Sequence, residues 1–263
     1  MSAVTSTPAR AARPRLLAVG ARVWTLLAAL FWGVLFFGLI DLQVVVFQNE
    51  VFYVHYVLET GWGLLYTVLA MAPLLFWAVR PHLVVLPRCV LAVGAAVLLT
   101  GIAFGAVGQV AAGLALFLSA APGVWMTRDE ARLRWSIDRL PAVVVAVGVL
   151  GAAAYLGLLV AAVRSGRTDE DTWGLMHLPM QAALAVAVPA CLATALLHAP
   201  ARGWRTGLAL PAVAAAGLGA VSVTYPFHLG SAGTGGGWAM MAWAALLGVL
   251  ASRPVVSRSG EPG

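Results

Sequence analysis

VWTLLAALFWGVLFFGLI, residues 23–40, decides the class of this protein. The stretch holds no ionisable side chain, and it approaches the roughly 20 apolar residues needed to cross a hydrocarbon layer of about 30 Å. Its apolar residues run on without the alternation of a barrel strand. It follows a basic stretch with Arg10, Arg13, Arg15 and Arg22, and no small-residue cleavage site precedes Asp41. It therefore reads as a retained spanning helix and not as a signal peptide.

Runs of the same kind recur along the 263-residue chain, which is 62% hydrophobic, only 10% charged and has a mean hydropathy of +0.92. Eight apolar segments are predicted, at roughly 23–45, 59–79, 87–104, 107–126, 140–163, 173–197, 206–227 and 238–252. The expected fold is all-α, a polytopic helical membrane protein. A single membrane domain, 23–252, is flanked by a basic, partly disordered tail at 1–22 and a short tail at 253–263. The third and fourth segments are separated only by GAVGQ at 105–109. Two spans or one broken element both fit there.

Arginine sets the orientation. With the N-terminus inside, the inner segments hold 14 of the 16 basic residues, all but Arg164 and Arg167. That positive-inside bias places both termini in the cytoplasm and the chain in a bacterial inner membrane. It also accounts for the net charge of +6 and the pI near 10.1, so nucleic acid is not a partner. The inner loop 127–139 pairs Glu130 with Arg134 and Arg134 with Asp138 at helical spacing. Cys89 and Cys191 both fall in apolar segments, which implies neither a disulfide framework nor a thiolate metal site. No Walker, nucleophile-elbow, zinc-protease or haem-attachment motif is present, and the chain has no lysine for a phosphate loop.

Polar residues gather near the outer face. DLQVVVFQNEVFYVHYVLETGWG, residues 41–63, holds three of the ten acids. Drawn as one helix, it brings Asp41, Gln48, His55 and Glu59 within about 40° of one another. That face could bind a cation or accept a proton. It could equally face water while the other side rests on headgroups. Whether 46–58 form an interfacial helix or extend the flanking spans is left open. WGLMHLPMQ, 173–181, adds Met176, His177, Met180 and Gln181, and a histidine between thioethers suits soft Cu(I). Methionine is also ordinary gap-filling in a bundle. TYPFHLGSAGTGGGW, 224–238, adds His228 ahead of a flexible glycine-rich turn at 230–237. The candidate outer-face site is thus Asp41, Gln48, His55, Glu59, His177, Gln181 and His228, with His55, His177, Met180 and His228 as metal candidates. No cofactor is implied.

The segment middles hold little that is polar beyond Thr100, Ser119 and Tyr155. Gly101 with Gly105, Gly148, Gly151, Gly157, Gly217 and Gly219 predict close helix contacts. Pro73, Pro189 and Pro211 predict kinks, and Trp62, Trp173 and Trp238 read as interfacial anchors. Three functional readings follow. The first is a non-enzymatic scaffold or accessory component with a membrane-protein partner in the lipid bilayer. The second is a transporter or permease-like subunit for an uncharged or apolar solute. The third is an outer-face metal, haem or enzymatic site built on His55, Glu59, His177 and His228.

Overall fold

The computed structural model describes residues 9–130, 139–165, 171–172 and 175–252. The ion pairs expected through Arg134 and the anchor expected at Trp173 lie outside the described residues, as do residues 1–8 of the tail expected to be partly disordered over 1–22; from Ala9 onward that tail is helical. The chain is an eight-span helical membrane protein. Its helices are α1 (Ala9–Leu30), α2 (Gly38–Val46), α3 (Tyr56–Gly63), α4 (Ala72–Val79), α5 (Leu86–Phe104), α6 (Val107–Met126), α7 (Arg139–Arg164), α8 (His177–Leu197), α9 (Trp204–Thr224) and α10 (Gly233–Ser252). A two-residue antiparallel pair, Asp171–Thr172 with Leu175–Met176, precedes α8.

α5 and α6 are two separate spans joined by a tight turn, which answers the question left by 105–109. Gly105 closes α5 in the left-handed region, at φ 68°, where a Cβ is costly. It therefore caps the helix and does not serve the helix contact expected of it. Gly101 does serve one, since a Cβ there would lie 2.8 Å from the Val110 backbone nitrogen. Gly151 and Gly157 face open space and mediate no packing. α10 begins at Gly233, inside the stretch expected to be a loop. A Cβ on Gly237 would strike the Gly219 carbonyl oxygen at 2.6 Å, so this glycine belongs to the α9–α10 crossing.

One hydrophobic core runs from Ala28 to Leu247. α8 lies at its centre, with 72% of its most apolar window buried, against 17% for α7 and 22% for α10. A few polar groups within the spans tie helices together. Trp32 Nε1 donates to Ser119 Oγ at 3.0 Å, and Gln109 Nε2 donates to Thr100 Oγ1 at 2.6 Å and to the Pro179 carbonyl at 3.0 Å. In hydrocarbon such bonds replace the water partners a soluble helix would find.

α7 depends on one such group. Gln181 Nε2 donates to the Tyr155 hydroxyl at 2.8 Å, and that hydroxyl donates to the Gly230 carbonyl. Tyr155→Phe removes the hydroxyl and leaves both partners buried. The expected cost is about 1–2 kcal/mol, seen as a lower melting temperature in detergent. An unchanged melt would show that the Tyr155 hydroxyl does not hold α7.

Candidate functional site

The first two spans are long and irregular where they meet. The first covers Leu16–Val46 and the second Glu50–Val79. α1 ends in a π turn at Phe31–Leu35, and Phe37 then takes a left-handed conformation, φ 62° and ψ 6°. For a bulky L-residue this costs about 1–3 kcal/mol and persists only where surroundings impose it. The surroundings are visible. Trp62 Nε1 donates to the Phe36 carbonyl at 3.0 Å, satisfying a group released by the break. Phe36 also stacks on Trp62 at 5.4 Å and meets Tyr66 edge-on at 4.7 Å. In the second span a π segment, Leu64–Met71, joins α3 to α4 just ahead of Pro73. Proline removes a helical donor, and the wider π ladder leads into that gap.

Small residues let the two irregular spans touch. A Cβ on Gly38 would lie 2.9 Å from Thr67 Oγ1 and 3.1 Å from the Tyr66 Cβ, and one on Gly63 would lie 2.8 Å from the Leu42 nitrogen and 2.9 Å from the Gly38 oxygen. The break re-aims α2, and the approach brings the Asp41 carboxyl beside that of Glu59. His177, the first residue of α8, closes the group with Nε2 3.6 Å from Glu59 Oε1. The His177 ring lies 5.2 Å from the Trp62 ring. Asp41, Glu59 and His177 are 9%, 7% and 7% exposed, so three ionisable groups are nearly withdrawn from solvent.

They line a cavity of about 420 Å³ together with Phe37, Phe47, Phe52 and Trp62. Two adjoining carboxylates repel, and their burial raises the cost. A proton or a bound cation between them relieves both penalties. The imidazole beside Glu59 supplies a second group able to exchange a proton. Aromatic faces next to the acids add a favourable field for a cation.

The structure unites only part of the predicted set. Asp41, Glu59 and His177 converge. Gln48 does not, because α2 ends at Val46 and Gln48 sits exposed in a turn at φ 48°. His55 lies on a 3-10 turn, Glu50–His55, outside the cavity. The single helical face drawn through 41–59 is therefore broken at 47–49, and the second span begins earlier than expected. His228 packs elsewhere, with ring contacts to Tyr53 at 4.9 Å and Tyr225 at 5.0 Å. Gln181 is fully buried one turn beyond His177; its Nε2 is bonded to Tyr155, while its Oε1 lies against Gly61 without a hydrogen-bond partner. Met180 accepts a hydrogen bond from the Tyr66 hydroxyl at 3.0 Å. Among the described residues no three His, Cys, Asp or Glu side chains are grouped to hold a metal ion.

Sequence reasoning missed Trp62 and Phe37. Trp62 was read as an interfacial anchor, yet it is 4% exposed and holds the broken first span. The density of aromatics over 31–37 and 62–66 was the available signal.

Fold and cavity together define an eight-span membrane protein with an acid–histidine pocket at one end of its first two spans. No known protein family, curated protein or solved structure matches the chain.

Proposed function

We propose that this protein is a permease-like membrane component whose recognition site, the Asp41–Glu59–His177 pocket, takes a small organic cation. One observation carries the reading: two adjoining buried carboxyls line an aromatic-walled cavity where the first span breaks. Carriers commonly place solute sites at interrupted helices, where irregular backbone lines a cavity and is not exposed to lipid. The two acids favour a cation over the uncharged solute considered from the sequence alone. The test is equilibrium binding of radiolabelled choline to the purified protein in detergent, with its neutral carbon isostere as competitor. Saturable choline binding resisted by the isostere supports the reading. Equal competition by the isostere removes it.

We take residues 23–252 as one membrane domain of a bacterial inner membrane, with both termini cytoplasmic and the pocket on the outer side. The arginine distribution supports this orientation. Reporter fusions after Gly203 and at the C-terminus are expected to report a cytoplasmic location, and a fusion after Asn49 an external one. The reverse pattern would move the pocket to the cytoplasmic face. An accessory role is the second reading, favoured by the sparsely buried α7. Co-purification of one stoichiometric membrane protein through α7 would select it.

A further inference from the structure

A second cavity lies among the last four spans and shares no lining residue with the acid–histidine pocket. It measures about 310 Å³ and is walled by α7, α8, α9 and α10. We propose that it holds one acyl chain of a bilayer lipid.

The lining is almost wholly carbon. Its polar groups are engaged elsewhere: the Tyr155 hydroxyl with Gly230 and Gln181, and Trp243 Nε1 with the Val144 carbonyl at 3.0 Å. An apolar cavity of this kind stays dry, and left empty it forfeits dispersion contacts on every wall. Its lip faces the bilayer. Val147 is 49% and Leu158 54% exposed, and Gly151 is exposed with nothing within 4 Å of where its Cβ would be.

Shape selects the occupant. The two hydrogen bonds that peg α7 to the bundle, at Val144 and Tyr155, stand about 16 Å apart along the helix. The cavity follows α7 from Val147 past Tyr155 to Leu158, as a slot parallel to the spans. One end reaches Ala232, immediately before α10 begins at Gly233 and so at the boundary of that span. The other end stops at Val147, Pro189 and Trp243, within their spans. A slot about 16 Å long, apolar throughout and with exposed residues along its lip, fits a single hydrocarbon chain whose head lies at the span boundary.

The test uses the full-length protein in vesicles containing a phospholipid with a diazirine near the end of one acyl chain. After irradiation, adducts are expected on peptides from α7 and α10 that line the slot. Gly151→Leu places bulk at the lip, and its Cβ meets nothing within 4 Å. It is expected to leave the melting temperature in place and cut those adducts about tenfold, equivalent to about 1.4 kcal/mol. Leu150→Phe, on the lipid face beside it, should leave labelling unchanged. Adducts spread evenly over the lipid-facing residues of α1 and insensitive to Gly151→Leu would overturn the proposal. Labelling by a diazirine free fatty acid but not by the phospholipid would overturn the assignment to a bilayer lipid.

Discussion

Glu59→Gln is expected to weaken binding of an organic cation by about tenfold to a hundredfold. The substitution keeps the size and shape of the side chain and removes its charge. An interaction with a charged group contributes about 1.5–3 kcal/mol, and each 1.4 kcal/mol is a factor of ten. Asp41→Asn should act in the same direction, because the two carboxyls line one cavity. The pair should not be additive. Removing either acid relieves the repulsion felt by the other, so the double variant is expected to lose less than the sum of the single losses. Folding is the control: near-isosteric amides should leave the melting temperature close to that of the parent. If choline bound equally well to both single variants, the pocket would not be a cation site. If both variants instead melted far lower with binding intact, the acids would be structural, holding the first two spans together through His177.

Gly63→Val is expected to be among the most damaging substitutions at a single glycine. Its first side-chain carbon would meet the Leu42 nitrogen at 2.8 Å, the Leu42 Cγ at 2.6 Å and the Gly38 oxygen at 2.9 Å. Two of these are backbone atoms, which cannot rotate aside, so the whole second span must move away from α2. Overpacking a close core typically costs about 1–3 kcal/mol, and a clash with backbone belongs at the upper end. The expected result is a drop of several degrees in melting temperature and loss of choline binding, since displacing α3 carries Glu59 away from Asp41. Gly157→Ala is the paired control. A Cβ there meets nothing within 4 Å, and alanine is the better helix former by about 1 kcal/mol, so stability should hold or rise. Equal melting of Gly63→Val and parent would show that the first two spans do not depend on their close approach.

The architecture was legible because lipid imposes a simple rule. Backbone groups must be satisfied within the protein, so a long uncharged run such as 23–40 becomes part of a span, here one interrupted at 31–37. All eight spans follow from that rule. Errors came where side chains, not solvent, set the local geometry. Residues 41–59 have an apolar pattern compatible with one helix, yet the chain turns at 47–49 and opens a new span. Nothing local announces Phe37 as left-handed, since Phe has no preference for that region. It is held there by Trp62, which bonds the carbonyl of Phe36, 26 positions earlier in the chain.

The candidate site divides along the same line. Asp41, Glu59 and His177 could each be named from the sequence, because ionisable residues stand out in an apolar chain. Gln48, His55 and His228 stood out equally and lie elsewhere. Composition reports which residues are costly at membrane depth; it does not report which of them meet. The sequence by itself determined the class, the number of spans and the scarcity of charge, all of which depend on transfer from water to hydrocarbon summed along short segments. Only the tertiary structure decided that the first span breaks, that Gly38 and Gly63 cross in contact, and that an acid from each of two spans faces a histidine from the sixth. Those outcomes depend on contacts between residues far apart in the chain, and the pocket exists only where they coincide.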